Sequence, residues 1–341
     1  MKVLVSFKPN KKYDNFEGTR MRKSIKGALE LLDINYTASG LDYYDIAHLI
    51  SPDEDKDLND VHNNGAPVVV SALYTEDDPC AYYLDIAKDK SPILTSKATK
   101  FLNKADLVLV PCPAAVELLK SNGITSQIEV CYPGVNLSRF DFSKTEEKEI
   151  FYRYYREDKN KKLVIAVGEY DRKMEGINSF LNAAKKSPKA VFYYIGKITT
   201  SAKIDLKIRK IFKNAPNNVK FVDVPPDDIY RSALLNASVF MIPGYKISGI
   251  TSIIEAMAAK TQIIARKSTV FEGILEDGTT AHLAEFSETL SSLTRDFLDG
   301  KIKPTTTQAY QTICEHDLTV FGKDLNKYYQ LAIKNNVNRR L

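Results

Sequence analysis

Short apolar runs alternate along the chain with segments whose apolar residues recur every three or four positions. KVLVSF, DIAHLIS, APVVVSA, ADLVLVP and QIEVCYP mark the first half, and KLVIAVG, AVFYYIG, NVKFVDV, ASVFMIP and TQIIA the second. These runs lack polar alternation, which is the pattern of strands covered on both faces. SIKGALELL, PAAVELLKS, GINSFLNAAKK and PDDIYRSALL have the helical period instead. Strands and helices in alternation predict α/β domains built on parallel sheets. Ten strands are too many for one comfortable domain. The charged stretch SKTEEKEIFYRYYREDKNKK, residues 143–162, breaks the alternation and reads as a linker. The expected architecture is two Rossmann-like domains, residues 1–145 and 160–316, facing across a cleft that is the default site. A helical tail, 317–341, carries a Tyr and Leu face that should pack back on the first domain.

Composition narrows the class. With 341 residues, 44% hydrophobic and 27% charged, the chain suits a soluble globular protein. No apolar run reaches the length of a membrane span, and MKVLVSF reads as a strand rather than a signal peptide. Cys80, Cys112, Cys131 and Cys314 form no Cys-x-x-Cys pair, so reduced thiols are expected rather than a disulfide or zinc framework. No G-x-G-x-x-G follows the first strand, and no P-loop, H-E-x-x-H or G-x-S-x-G occurs. The 19 tyrosines are spread through strands and helices, as core residues are, so a nucleic-acid partner is not expected.

The chemistry concentrates in the second half. VIAVGEYDRKMEGINSFLNAAKK is a strand, a Gly turn, a basic pair and a helix. FYYIG and VKFVDVPPDDIYRSALLNASVFMIPG follow, and then PGYKISGITSIIEAMAAKTQIIA. In that order they resemble the donor-binding domain of the retaining GT-B glycosyltransferases of the family four type. FLNKADLVLVPCPAAVELLKSNGITSQIEVCYPGVNLSRF adds a segment similar to the family's approach to its N-G-V-D stretch, here Pro133-Gly134-Val135-Asn136. Together these span about residues 100–275. VVVSALYTEDDPCAYY is similar to an H-S-T-E-E-D stretch of bacterial diacylglycerol glycosyltransferases, with Thr75, Glu76 and Asp78 matching and Leu73 in place of the His.

The resemblance assigns roles. Glu255, on an otherwise uncharged helix, corresponds to the second Glu of a Glu-x7-Glu pattern and would accept hydrogen bonds from a nucleotide's ribose hydroxyls. An ionised carboxylate suits a vicinal diol. Its alternative is a structural partnership with a nearby Lys or Arg. Ser248, Gly249, Ile250 and Thr251 would offer helix N-terminal N–H groups to the diphosphate. Gly168 and Val224 complete the implied donor site. Arg172 and Lys173 would stabilise the leaving diphosphate, unless they belong to a solvated turn. Glu76 and Asp78 would meet the acceptor, Glu76 assisting its deprotonation, unless they simply begin a helix. Two departures stand out: Ile247 occupies the place of the family's first Glu, and Glu169 that of its Arg. His48, His62, His282 and His316 do not cluster in sequence and are read as structural.

KPNKKYDNFEGTRMRKSIKGALELL carries Arg20, Arg22, Lys23 and Lys26 beside an apolar stripe of Met21, Ile25, Ala28, Leu29 and Leu32. That combination could lie on an anionic membrane, or the stripe could pack on its own sheet. The implied function is transfer of a hexose from a UDP-sugar to a glycosyl-diacylglycerol at the cytoplasmic membrane face, with no cofactor and no metal requirement. A polysaccharide, wall polymer or protein acceptor is the rival enzyme reading. A non-catalytic GT-B subunit is the rival of another class, kept open by Ile247 and Leu73.

Overall fold

The computed structural model describes the chain except residues 7–15, 51–60, 62, 73–95, 142–144, 169–175, 197–205, 245–249 and 341. It divides into two compact units: residues 1–136 with 246–251 and 315–341, and residues 137–245 with 252–314.

The first unit holds a six-stranded parallel sheet in the order β2-β1-β3-β4-β5-β6. Its strands are β1 (Lys2–Ser6), β2 (Asn35–Thr37), β3 (Ile46–Ile50), β4 (Val68–Ser71), β5 (Leu107–Val110) and β6 (Ile128–Val130). β3, β4 and β5 are buried along their whole length, as unbroken apolar runs require when both faces are covered. Helices α1 (Phe16–Leu31), α2 (Ser96–Leu102) and α3 (Pro113–Ser121) precede the unit boundary. In the second unit β7 (Leu163–Val167), β8 (Val191–Ile195), β9 (Val219–Val222), β10 (Ala237–Ile242), β11 (Gln262–Arg266) and β12 (His282–Ala284) form a second six-stranded parallel sheet. Its order is β12-β11-β10-β7-β8-β9. Helices α4 (Thr145–Tyr155), α5 (Ile177–Lys186), α6 (Leu206–Lys213), α7 (Asp227–Asn236), α8 (Ile250–Ala258), α9 (Ser287–Leu298) and α10 (Thr306–Cys314) accompany it. The last helix, α11 (Leu318–Arg340), belongs to the first unit.

Three expectations change here. β2 (Asn-Tyr-Thr) and β12 (His-Leu-Ala) escape the apolar-run criterion because each is a three-residue edge strand that is only partly buried. The charged stretch 143–162 is not a bare linker. It contains α4, whose Phe151 is fully buried among Tyr152, Tyr155 and Tyr193. Arg231 of α7 pairs with Glu147 of α4 at 2.9 Å, and the Ser232 hydroxyl donates to the Lys148 carbonyl at 2.9 Å. The apolar stripe of α1 is not a bilayer face. Met21, Ile25, Ala28 and Leu29 are buried in one core with Val3, Val5 and Ile46 of the sheet and with Leu318, Phe321, Leu325 and Tyr329 of α11. At about 25 cal/mol per Å² of apolar surface, such a stripe is held far more firmly by its own core than by an interface it would have to leave that core to reach.

The first unit also seals a polar chain. His48 on β3 is fully buried, with Nδ1 at 2.9 Å from the Tyr329 hydroxyl and Nε2 at 2.7 Å from Ser71 Oγ. Burial lowers its pKa to about 3, so the ring is neutral. Both ring nitrogens have partners, and no solvent reaches them. This is a structural histidine that ties α11 to the sheet.

Candidate active site

In an open parallel sheet, ligands bind beyond the carboxyl ends of the strands, where the strand order reverses. In the second unit that point lies between β7 and β10, because α5 leads from β7 outward to β8 while β10 returns to β7's other side. The sequence immediately after each of these strands therefore borders the crevice.

β7 ends at Val167, and the Gly168 N–H donates to the Ile195 carbonyl at 3.0 Å. A Cβ on residue 168 would lie 2.3 Å from the Tyr194 hydroxyl, so a larger residue would have to displace that side chain. Gly176 caps the start of α5 with φ of 76°, and a Cβ there would lie 2.1 Å from the Pro243 carbonyl oxygen. The loop after β7 and the start of the loop after β10 thus touch through the absence of a side chain. Gly176 was not among the expected site residues. The signal that could have found it is a glycine directly before the periodic segment INSFLNAAKK, where a left-handed residue is cheapest.

α8 follows β10. Ile250, Thr251, Ser252, Ile253 and Ile254 are buried, as are Ala256, Met257 and Ala258. Glu255 is its one charged residue and is half-buried, with Oε2 withdrawn from solvent. The apolar flank makes this a costly place for a carboxylate unless a polar group meets it. Ile250 and Thr251 occupy the first turn, where backbone N–H groups have no intrahelical acceptor. Val224 lies just past β9, half-buried, its N–H donating to Asp223 Oδ1 at 2.8 Å. It sits two strands from β7 but at the same end of the sheet. Gly168 and Val224 therefore follow the carboxyl ends of β7 and β9 in one sheet. Glu255 lies more than one turn into the helix that follows β10, whose first two residues, Ile250 and Thr251, are grouped with the first unit. Arg172, Lys173, Ser248, Gly249, Glu76 and Asp78 lie outside the described residues, as do Leu73, Thr75, Glu169 and Ile247.

The cations expected on a membrane are separated by the fold. Arg20 is buried at 8% exposure, which removes it from any surface role. Arg22 is half-buried and Lys23 exposed, while Lys26 stands 5.1 Å over the Tyr36 ring. His282 Nε2 lies 2.9 Å from the Lys303 carbonyl, and His316 packs edge-on against Tyr132. His62 is outside the described residues. Among the described residues, no group of three or more His, Cys, Asp or Glu side chains is placed to hold a metal ion. No described helix is long and apolar enough to cross a membrane. A cavity of about 700 Å³ opens at the opposite end of the second sheet, by Lys162, Ser238, Lys260 and Gln262. Those residues precede or begin β7, β10 and β11, so the cavity is remote from the crevice.

Comparison with known proteins places this unit. Residues 147–311 match the family described as Glycosyl transferases group 1. This is a group 1 glycosyltransferase domain in a GT-B fold. The glycosyltransferase is 25% identical over 328 residues to the processive diacylglycerol alpha-glucosyltransferase of Acholeplasma laidlawii, covering 91% of this chain and 92% of that one. It is 24% identical over 179 residues to the alpha-galactosylglucosyldiacylglycerol synthase of Streptococcus pneumoniae, 52% of this chain and 48% of that protein. Among solved structures, sucrose-phosphate synthase (tll1590) from Thermosynechococcus elongatus superposes with a TM-score of 0.71 at 14% identity, covering 98% of this chain and 99% of that one. Anabaena Alr3699/HepE, in complex with UDP-glucose, gives 0.71 at 13% identity over 97% and 99%. At such identities the superpositions speak for the fold alone.

Proposed function

We propose that the glycosyltransferase moves a hexose from a UDP-sugar to a membrane glycolipid. The acceptor is a monoglycosyl-diacylglycerol, the product a diglycosyl-diacylglycerol, and the anomeric configuration is retained. The observation that carries this reading is the similarity to a diacylglycerol alpha-glucosyltransferase over nine-tenths of both chains.

In this reading Glu255 accepts the ribose hydroxyls, and the start of α8, from Ser248 to Thr251, takes the diphosphate on its N–H groups. Gly168 and Gly176 keep the crevice open to the nucleotide, and Val224 lines its far side. The bond from the sugar's anomeric carbon to the diphosphate oxygen breaks as the bond to the acceptor oxygen forms. The acceptor's proton passes to the departing phosphate oxygen, with Glu76 and Asp78 orienting the acceptor hydroxyl. Arg172 and Lys173 stabilise the charge that develops on the diphosphate, so no metal is needed. The enzyme works from the cytoplasmic face as a peripheral protein.

The test is a transfer assay with the purified chain, UDP-glucose or UDP-galactose, and either diacylglycerol or monoglucosyl-diacylglycerol in mixed micelles. A disaccharide lipid with an alpha linkage is expected by mass spectrometry and NMR. Transfer to a soluble glycan but to neither lipid would replace the acceptor class. Arg172→Ala with Lys173→Ala should lower turnover by about a hundredfold, the range for removing a transition-state donor, with much less change in affinity for UMP.

A further inference from the structure

The chain's positive charge is concentrated. Residues 176–222 contain ten Lys and Arg against one acidic residue, Asp205, a balance of +9 when the whole chain carries +5. The rest of the molecule therefore sums to −4, although α1 by itself carries +2.

Among the described residues, seven of these cations lie on or beside α5, α6 and β9 of the glycosyltransferase domain. β9 is the outer strand of the second sheet, and α6 is the helix that leads into it. On α6, Ile208 is buried and Ile211 and Phe212 pack on the core that holds Phe180, Ala183 and Ala184 of α5. The opposite stripe is Leu206, Arg209, Lys210 and Lys213, spaced three, four and seven residues on, and all four are exposed. Leu206 is 79% exposed. The Asn218 side chain donates to the carbonyls of Ala184, Ser187 and Ala190 at 3.1, 3.2 and 3.0 Å. Those bonds pin the end of α5 to the turn before β9. Exposed Lys185 and Lys189 lie at that end of α5, while the Lys186 ammonium donates to the Ser292 hydroxyl on α9 at 3.2 Å, and exposed Lys220 follows on β9. Among the described residues of this stretch there is no acidic side chain.

We infer that this α5–α6–β9 margin is the surface on which the protein meets an anionic lipid bilayer. The choice of a bilayer rests on the glycolipid reading above. The charge supplies the attraction, and Leu206, an apolar side chain at the end of a basic stripe, can enter the acyl boundary while the lysines stay at the headgroups. A nucleic-acid surface would offer aromatic faces for stacking on bases. Here Phe212 and Phe221 stack on each other, centroids 4.4 Å apart, against the core. The stripe of α1 is consumed by α11, so the attachment lies on the donor domain rather than on the first helix.

The experiment is vesicle cosedimentation of the full chain with phosphatidylcholine alone or with added phosphatidylglycerol, without UDP-sugar or glycolipid. Failure of the acceptor assignment would leave this readout untouched. The parent should bind only the phosphatidylglycerol vesicles and be released by salt. Lys185→Ser, Lys189→Ser, Lys210→Ser and Lys213→Ser together should weaken partition by about a hundredfold or more. The same four positions changed to Arg should bind like the parent. Arg22→Ser, Lys23→Ser and Lys26→Ser together should also bind like the parent. Leu206→Asp, at an exposed position that cannot disturb the core, should give a clear loss by itself. Binding lost in the α1 variant but kept in the four-lysine variant would overturn the inference, as would a parent that ignores anionic vesicles. Tighter binding to a single-stranded oligonucleotide than to vesicles at the same salt would transfer the surface to nucleic acid.

Discussion

The two units are the same construction put to different uses. Each is a six-stranded parallel sheet whose order reverses once near its middle, between β1 and β3 in the first and between β7 and β10 in the second. Each contains an ionisable side chain in apolar surroundings. His48 is fully enclosed and has both nitrogens met by Ser71 and Tyr329. Glu255 keeps contact with solvent, on the helix that follows β10, whose loop meets the loop after β7 at Gly176. Burial of a polar group does not by itself mark a functional site. A group that remains reachable, on an element that borders a switch point, does so much better.

The sharpest way to break the comparison is to close the crevice of the second unit. Gly176→Ala places a methyl against the Pro243 carbonyl and demands a left-handed backbone from a residue with a Cβ. Backbone strain and overpacking together should cost about 2–5 kcal/mol, read from urea unfolding, and should abolish UDP binding. A variant as stable as the parent would mean that the loops do not need to touch. Next in size, Glu255→Ala should weaken UDP binding by ~1.5–3 kcal/mol, the range for hydrogen bonds to a charged group, with the fold intact by circular dichroism. Unchanged affinity in calorimetry would make Glu255 as structural as His48.

A third experiment addresses the sealed histidine. Its pKa is about 3 in the fold and about 6.5 in an unfolded chain, so acidification protonates the unfolded form first. Stability is then fully present above about pH 6.5 and declines as pH falls, by about 2 kcal/mol at pH 5. His48→Gln should be less stable at pH 7 yet lose less between pH 7 and 5. Parallel pH slopes for the two proteins would show that other groups set the acid limit. The smallest expected effect is none at all: transfer should be unchanged by excess EDTA, since Arg172 and Lys173 are proposed to serve in place of a metal. Loss restored by magnesium or manganese would contradict that.

Much of the fold was legible because buried strands such as IAHLI and VVVS announce themselves as unbroken apolar runs. Edge strands do not: Asn35–Thr37 carries no such run, and only its pairing with β1 makes it a strand. The stripe on α1 was visible, but not what covers it, because α11 begins almost 300 residues later. Arg20 looked like one cation among several, and nothing local indicated that it alone would be buried. Glu255 stood out through contrast with its neighbours. Gly176 did not, since its role depends on Pro243, which approaches only once β7 and β10 pair. His48 illustrates the same limit, with partners 23 and 281 positions away.

The return of α11 to the first unit has a consequence for how the molecule is made. Asp106, at the start of β5, is buried with its Oδ2 accepting from the Val68 N–H and from Asn336, while Arg339 pairs with its Oδ1 at 3.5 Å. Leu325, Tyr329 and Ala332 complete the core beneath. A nascent chain therefore presents β1 to β6 to the cell without the helix that covers them. The second unit lies wholly between, and the ribosome needs roughly 10–35 s to add those residues at ordinary elongation rates. Birth order and folding order are inverted: the second unit can finish while the first still waits with an open apolar face. During that interval the first sheet is the part of the newborn enzyme that a chaperone must shield.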